Sequence, residues 1–412
     1  MSAPTFSVPE TIAQDLPATG RPHRVLTVFG TRPEAIKMAP VIQQLQRDPR
    51  FVPQVVVTGQ HREMLDQVLD VFAIVPDLDL AIMDRSQTLT DVTTRALGGL
   101  SRAVDTLDPD LVVVQGDTTT TLCGALAAFY ARRPVAHLEA GLRTGDILSP
   151  FPEEANRRLT TQLASLHLAP TERSRDNLLA EGVDPATVVV TGNTVIDALH
   201  EVLRRPRSYG EPALESLDSD DRRVVLITAH RRESWGDAMH RIARAVVEVA
   251  ADPDVLIVFP LHRNPVVRAC FEPVLRPLAN VVLCEPLPYA GLVKLLHRCT
   301  LVITDSGGLQ EEAPGLGKPV LVLRDTTERP EGVDAGTARL IGTDRERIVA
   351  EVRRLLYDPA AYAAMAAAVN PYGDGTAAVR SVDAFARLLG GTGPAAHARP
   401  VAPSALSASV AG

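Results

Sequence analysis

The chain has 412 residues, of which 45% are hydrophobic and 22% are charged. These proportions are close to globular averages and argue against intrinsic disorder or a coiled coil, while the length allows two domains with a core each. The formal net charge of -8 opposes a polyanion, and no run of lysine or arginine offers a basic track, so we expect no nucleic-acid partner.

The chain begins with a segment, residues 1–22, that lacks a basic start followed by an apolar stretch. We therefore expect a disordered tail there and not a signal peptide or a membrane anchor. From residue 24 onward, short β-branched runs alternate with helical patterns, which is typical of parallel sheets covered by helices. The first series of predicted strands is 25–29, 54–58, 111–115, 135–138 and 188–191, with helices at 88–107 and 118–131.

A polar, proline-containing stretch at 204–223 separates this series from a second one, and we interpret it as a linker or surface loop. The second series of predicted strands is 224–228, 255–259, 281–284, 301–304 and 320–323. The sequence thus predicts two Rossmann-like, doubly wound α/β domains at 23–203 and 224–370. A helix within 371–390 is expected to return to the first domain, before a second disordered tail at 391–412.

No apolar run reaches membrane-spanning length, which predicts a cytoplasmic protein without a membrane partner. The four cysteines show no close CxxC spacing and lie in apolar segments, so we expect structural thiols. They are Cys123, Cys270, Cys284 and Cys299.

Polar residues follow the first predicted strand in the motif GTRPEAIKMAP, residues 30–40. Ligands of open parallel sheets bind beyond the carboxyl ends of strands. Gly30 permits a tight turn, Pro33 suits a helix start, and Arg32 and Lys37 bracket that start, so the turn could receive a phosphate. The alternative is a capped helix with two solvated cations.

A second anion-binding turn is predicted in TDSGGLQEEAP, residues 304–314. Gly307 and Gly308 expose backbone N–H groups, and Ser306 adds a hydroxyl. Glu312 is placed where a carboxylate could accept two ribose hydroxyls. The alternative for Glu311 and Glu312 is an ordinary interaction with the helix dipole.

Several cofactor motifs are missing. The dinucleotide fingerprint GxGxxG is absent because Gly30 stands alone in its turn, and the Walker pattern GxxxxGK[ST] is absent as well. The ten histidines show no HxxxH or HxH spacing for a metal. We therefore expect no cofactor and no metal.

Further polar motifs lie at or near the ends of strands. They are QGDTTTT (115–121), HLEAGLRTGD (137–146), SPFPEEANRR (149–158), ITAHRRESWG (227–236), RDTTERPE (324–331) and NPYGDG (370–375). With the two anion-binding turns, they make the chain from about Val25 to Leu388 closely resemble the non-hydrolysing UDP-N-acetylglucosamine 2-epimerases. The resemblance implies the glycosyltransferase-B architecture, usually as a homodimer, with UDP-N-acetylglucosamine (UDP-GlcNAc) and UDP-N-acetylmannosamine (UDP-ManNAc) as substrates.

The resemblance also implies a mechanism in which UDP is eliminated anti to give 2-acetamidoglucal and then adds back. This needs acid–base groups on both faces of C2, and the matching carboxylates are Asp117, Glu139 and Glu153, while the fourth catalytic candidate, His230, lies near the diphosphate. We expect repulsion between neighbouring carboxylates to raise at least one of their pKa values. Plainer alternatives are a helix cap for Asp117, a pair between Glu139 and Arg143, and an ordinary first-turn position for Glu153.

The residues expected to bind the substrate follow from the same resemblance. The diphosphate set is Arg32, Lys37, His230, Ser306, Gly307, Gly308 and Arg329; Glu312 is the ribose ligand, and Leu287 and Leu292 shape the uracil pocket. Some relatives bind a second UDP-GlcNAc as an activator, at positions that match Gln60, His61, Glu63 and His262. Glu63 stands where some of those relatives have an amide, so an allosteric site is a hypothesis.

Three other functions remain open. A hydrolysing 2-epimerase would release free N-acetylmannosamine and UDP. A glycosyltransferase of the same fold would need an acceptor surface but no carboxylates on both faces of C2. A catalytically silent sugar-nucleotide sensor would keep the anion-binding turns and lack the carboxylates.

Overall fold

The computed structural model describes residues 21–59, 62–84, 87–205 and 208–390, with only the backbone at 62–64. Its first half contains the strands β1 His23–Phe29, β2 Phe51–Val57, β3 Leu78–Asp79, β4 Leu111–Gln115, β5 Val135–Leu138, β6 Leu166–Ala169 and β7 Val188–Val190. Its helices there are α1 Arg32–Arg47, α2 Arg62–Phe72, α3 Leu89–Leu107, α4 Thr119–Tyr130, α5 Glu153–Leu163, α6 Glu172–Ala180 and α7 Thr194–Leu203.

The second half repeats the alternation of strands and helices. Its strands are β8 Arg223–Thr228, β9 Val255–Pro260, β10 Val281–Cys284, β11 Leu301–Thr304, β12 Val320–Val322 and β13 Ala338–Leu340. Its helices are α8 Asp237–Val249, α9 Pro265–Leu275, α10 Tyr289–Arg298, α11 Gly307–Glu312, α12 Pro330–Asp334, α13 Arg345–Tyr357, α14 Pro359–Ala366 and α15 Ala377–Gly390.

The strands form two wholly parallel sheets. The orders are β3-β2-β1-β4-β5-β6-β7 and β10-β9-β8-β11-β12-β13. Helices cover both faces, which is why strands such as β4 and β11 are buried at every residue and read as continuous apolar runs. The predicted fold class, two Rossmann-like domains in the glycosyltransferase-B architecture, is confirmed.

The stretch 204–223 differs from the expected surface loop in its described residues. It forms short 3₁₀ turns at Pro212–Leu214 and Leu217–Ser219. Tyr209, Leu214 and Leu217 are buried in the apolar core beneath the second sheet. Most residues of the stretch are polar, so its composition alone predicts a more exposed segment than the fold contains.

Helix α15 follows the second sheet in the chain but packs against the first half. Val382 and Phe385 belong to the same apolar core as the buried face of α1. The Asp197 carboxylate of α7 accepts hydrogen bonds from the backbone N–H groups of Ala377, at 3.2 Å, and Ala378, at 2.9 Å. A carboxylate at this end of a helix also interacts favourably with its dipole, so α7 anchors α15.

The order of strands reverses between β1 and β4 in one sheet and between β8 and β11 in the other. Such switch points leave a crevice beyond the carboxyl ends of the strands, where ligands of this fold class bind. The turns that follow these four strands carry Arg32, Asp117, His230 and Ser306. Within the described ranges, no helix has the length and apolarity needed to cross a membrane.

The four cysteines are free thiols. Cys123, Cys284 and Cys299 are buried and Cys270 is partly buried. Burial raises the pKa of the Cys299 thiol to about 12, so this group stays protonated at neutral pH.

Candidate functional site

A cavity of about 500 Å³ opens between the carboxyl edges of the two sheets. It is lined by every residue that the sequence predicted for substrate binding: Arg32, Lys37, His230, Leu287, Leu292, Ser306, Gly307, Gly308, Glu312 and Arg329. His262, predicted for an allosteric site, lines it too. Arg32 and Lys37 come from the first half of the chain and the other residues from the second, so a ligand here would contact both.

The turn between β1 and α1 is held by Glu34, which sequence reasoning missed. Its buried carboxylate accepts hydrogen bonds from the backbone N–H groups of Gly30, at 3.0 Å, and Thr31, at 2.7 Å. It also accepts one from the Thr118 hydroxyl at 2.6 Å, next to Asp117. The Thr-x-x-Glu spacing of a capping box was the available signal. Glu34 thus joins a predicted phosphate turn to a predicted catalytic turn.

Four charged side chains form a chain of ion pairs across the cleft. Lys37 contacts Glu139 directly and lies 3.9 Å from Glu311, which in turn contacts Arg329. The Asn193 amide donates to Glu139 at 3.3 Å and to Glu311 at 3.2 Å. The Lys37 side chain is only 14% exposed, so the alternative of a solvated cation is wrong for this residue. Glu311 and Asn193 were not predicted to belong to the site.

The charges around Glu139 favour its ionised form. Burial alone would raise its pKa, but the positive charges of Lys37 and Arg329 outweigh burial and lower the pKa below its ordinary value. Glu139 is therefore not a carboxylate whose pKa is raised by repulsion, because cations are its neighbours. Repulsion does act on Glu312, where burial, followed by the charge of Glu311, raises the pKa to about 7.

The three predicted catalytic carboxylates are not among the residues that line the cavity. Glu139 reaches it through Lys37. Asp117 follows β4 and accepts a hydrogen bond from the Arg157 guanidinium at 2.9 Å. The helix-cap alternative for Asp117 is wrong because Thr118 is the N-cap of α4.

The plainer alternatives for Glu139 and Glu153 have different outcomes. Arg143 pairs with Glu181 at 2.7 Å, so the expected pair with Glu139 does not form. Glu153 is the first residue of α5 and partly exposed, as an ordinary first-turn residue would be. Its neighbour Glu154 is fully buried and contacts Arg157 at 3.0 Å. The structure thus leaves both interpretations of Glu153 open.

His230 is oriented by Asp305 at the end of β11. The His230 Nδ1 atom lies 3.1 Å from a carboxylate oxygen of Asp305. The other oxygen accepts from the backbone N–H groups of His230, at 2.6 Å, and Arg231, at 2.8 Å. The His230 ring also stacks on His262, with centroids 5.4 Å apart. These contacts hold the imidazole at the wall of the cavity.

The turn after β11 has room on its cavity side. A Cβ added to Gly307 would come no closer than 3.9 Å to Arg231, and one added to Gly308 no closer than 4.0 Å to Ser306. Neither glycine has a left-handed φ, so the fold itself does not require glycine here. Absence of side chains instead lets an anion approach the backbone. Glu311 and Glu312 end α11, so their helix-dipole alternative is wrong.

The predicted allosteric residues are only partly described. Gln60 and His61 lie outside the described residues, and so does the side chain of Glu63. His262 lies within the described residues. Its pKa is lowered mainly by burial and further by the charge of His230.

The chain is similar to known proteins over most of its length. The profile of a family described as UDP-N-acetylglucosamine 2-epimerase matches residues 43–386, which is more than half of the chain. The chain belongs to the UDP-N-acetylglucosamine 2-epimerase family. The UDP-N-acetylglucosamine 2-epimerase of Escherichia coli (strain K12) is 54% identical over 368 residues, covering 88% of this chain and 98% of that protein.

Two solved structures of family members are similar to this chain over most of its length. The enzyme from Neisseria meningitidis, bound to UDP-GlcNAc, is 48% identical, with a TM-score of 0.80 and coverage of 88% of this chain and 99% of that one. The enzyme from Methanocaldococcus jannaschii, in complex with UDP-GlcNAc and UDP, is 32% identical. Its TM-score is 0.72, with coverage of 88% and 99%.

Proposed function

We propose that the chain is an isomerase that interconverts UDP-GlcNAc and UDP-ManNAc at C2 without net hydrolysis. The observation that carries the proposal is the cavity between the sheets. The first half of the chain lines this cavity with cationic side chains. The second half lines it with the predicted anion-binding turn and a carboxylate. Family membership and the UDP-GlcNAc bound to the Neisseria meningitidis relative support the same substrate class.

In the proposed complex, UDP lies mainly on the second half. The diphosphate contacts the backbone of Ser306 to Gly308, with His230 and Arg329 beside it, while Arg32 and Lys37 approach from the opposite wall. The site set further includes Glu312 on the ribose hydroxyls, with Leu287 and Leu292 at the uracil. Leu287 is buried, which suits contact through its backbone. Such clustered donors stabilise the charge that develops on departing UDP.

The proposed chemistry breaks the C1–O bond to UDP and removes the C2 proton to a carboxylate, which forms the C1=C2 bond of 2-acetamidoglucal. Protonation of C2 on the opposite face and return of the UDP oxygen to C1 complete the inversion. The pKa of Glu139, kept low by Lys37 and Arg329 against burial, leaves it ionised at neutral pH, which is the form that can accept a proton. Asp117, Glu153 and His230 complete the proposed acid–base set.

The competing function is a hydrolysing 2-epimerase. Retention of UDP is supported by the position of Lys37, whose side chain is 14% exposed, lines the cavity and contacts the Glu139 carboxylate. Lys37 can therefore contact the departing diphosphate while it holds the carboxylate in place. Incubation of UDP-GlcNAc with enzyme and no acceptor tests the proposal. UDP-ManNAc at equilibrium with substrate supports it, free N-acetylmannosamine identifies the hydrolysing reaction, and no turnover until an acceptor is added identifies a glycosyltransferase.

We also propose a homodimer. Phe129 and Tyr130 of α4 and Leu159 of α5 are 55%, 66% and 53% exposed. The two helices pack together, so these apolar side chains offer a surface that a second copy would cover. Light scattering should give twice the chain mass of 44.2 kDa. A concentration-independent monomer would overturn the dimer but not the epimerase.

Allosteric activation by UDP-GlcNAc remains part of the proposal. His262 stacks on His230, so a second ligand that touched His262 would act directly on the wall of the proposed diphosphate site. The test uses UDP-ManNAc alone as substrate and then adds traces of UDP-GlcNAc. Stimulation beyond the contribution of the added substrate supports activation, and its absence removes the idea.

A further inference from the structure

His137 lies in β5, every residue of which is buried, and its own side chain is fully buried. An imidazole in such a strand loses its hydration, and that loss must be compensated by hydrogen bonding. The Nε2 atom of His137 lies 2.7 Å from the carbonyl oxygen of Gly116. Because a carbonyl only accepts, Nε2 carries the proton and donates it.

The rest of the ring makes no competing hydrogen bond. Burial, against the contact with Gly116, lowers the pKa of His137 to about 4, so the ring is neutral near pH 7. Its Nδ1 atom is then unprotonated, and it has no hydrogen-bond partner among the described residues. The hydrogen bond of His137 is therefore directed at the end of β4 alone.

The carbonyl that accepts the hydrogen bond from His137 belongs to the turn after β4. Both neighbours of Gly116 in this turn are connected to candidate catalytic carboxylates. Gly116 has φ +74° and is followed by Asp117. The preceding residue, Gln115, donates its side-chain amide to the Glu139 carboxylate. Glu139 itself follows β5 with φ +65°, a left-handed conformation that is rare for a residue other than glycine.

The two strand ends are thus tied in both directions. Gln115 of β4 reaches the carboxylate after β5, and His137 of β5 reaches the carbonyl after β4. Between them, the backbone N–H of Gly116 donates to the Leu138 carbonyl at 3.0 Å. A leucine in place of His137 would fill the space, yet it would remove the donor to Gly116.

We propose that His137 is a positioning residue for the epimerisation, because its buried imidazole fixes the relative placement of the turns that carry Asp117 and Glu139. The inference rests on the proposed function, in which both carboxylates act on C2. His137 does not line the proposed UDP cavity, so it should affect proton transfer without affecting UDP binding.

The test compares His137→Leu, which removes the donor, with His137→Gln, whose amide keeps a donor near the Nε2 position. The matched control is His167 of β6, the register partner of His137. His167 is also buried, with a pKa lowered by burial to about 4, and the described structure records no hydrogen bond from it to either carboxylate turn. His167→Leu and His167→Gln therefore match the loss of a buried imidazole.

We expect His137→Leu to lower kcat by about 10- to 100-fold, the effect of a small misplacement of catalytic groups. The Kd for UDP should stay within about two-fold of wild type, and His137→Gln should recover most of kcat. The His167 variants should keep kcat within about three-fold. If His137→Leu fails to fold, His137→Met and His167→Met, which also lack a donor, carry the test, with a kcat loss expected only in the former.

Equal kcat in the His137 and His167 variants that lack a donor, or a parallel loss of UDP binding and kcat, would overturn the positioning role. Product analysis of the wild-type enzyme under the same conditions distinguishes failure of the positioning role from failure of the proposed function. Wild-type enzyme that releases free sugar, or that puts no solvent deuterium at C2, contradicts the proposed function instead.

Discussion

Replacement of Lys37 by methionine keeps most of the apolar stem and removes the charge at the centre of the ion-pair chain. The Glu139 and Glu311 side chains that it serves are 8% and 2% exposed. Two unit charges about 4 Å apart attract by roughly 4 kcal/mol at an effective dielectric constant of about 20. Removal of one partner of a buried pair typically costs about 3–5 kcal/mol, because the remaining charge stays buried. We expect Lys37→Met to lose this amount of stability near neutral pH.

The loss should depend on pH with a definite sign. In wild type the folded-state pKa of Glu139 is lowered, so its carboxylate stabilises the fold above its unfolded pKa, and this stability is lost as pH falls through the folded pKa. Without Lys37, burial acts on Glu139 with less compensation and its pKa rises. The variant then regains stability relative to wild type as pH falls, and the difference should narrow between about pH 7.5 and pH 5.

Denaturant unfolding at both pH values measures the effect, with Lys294→Met as the matched control. Lys294 pairs with Asp218 at 2.7 Å, where the two side chains are 28% and 55% exposed, and its ammonium lies 4.1 Å from the centroid of the Tyr209 ring. A partly exposed pair and a cation–π contact of this kind contribute about 1 kcal/mol each. A loss below about 1 kcal/mol in Lys37→Met, or a loss that does not change with pH, would refute the argument that this chain of ion pairs is buried and coupled.

Three further predictions concern the cavity and the carboxylates. Gly308→Ala should fold with a Tm equal to or above that of wild type, because its Cβ comes no closer than 4.0 Å to Ser306 and alanine favours a helix. It should weaken UDP binding by about 10-fold or more by calorimetry, and equal affinity would contradict the anion role of this turn. UDP affinity should rise as the pH increases through about 7, because Glu312 ionises and accepts the ribose hydroxyls. Glu312→Gln should remove this rise in affinity, and a rise that is unchanged in the variant would assign it to another group. Arg157→Met releases the Asp117 carboxylate and should lower kcat by about 100-fold while leaving the Kd for UDP within about two-fold; a kcat near wild type would argue against Asp117 as an acid–base group.

Sequence reasoning worked where the physical cause is local. Strands buried on both faces must be continuous apolar runs, and the predicted strands 111–115 and 301–304 coincide with β4 and β11. Glycine and serine directly after a strand predict an exposed backbone for an anion. The residues of the second turn, from Ser306 to Gly308, do line the cavity.

Contacts between distant parts of the chain were not predictable in this way. Lys37 and Glu139 are 102 positions apart, and Asn193 and Glu311 are 118 positions apart. These side chains meet only because the fold brings distant parts of the chain together. For the same reason the direction of the Glu139 pKa shift could not be predicted, since its neighbours along the chain do not reveal the cations that surround it in the fold.

The measurement that tests the central claim most directly is NMR of UDP-GlcNAc incubated with the enzyme in D₂O. Elimination and readdition remove the C2 proton to a carboxylate that exchanges with solvent. The account therefore predicts deuterium at C2 of both UDP-GlcNAc and UDP-ManNAc, with no accumulation of free sugar. Epimerisation that leaves protium at C2, or release of free N-acetylmannosamine, would contradict it.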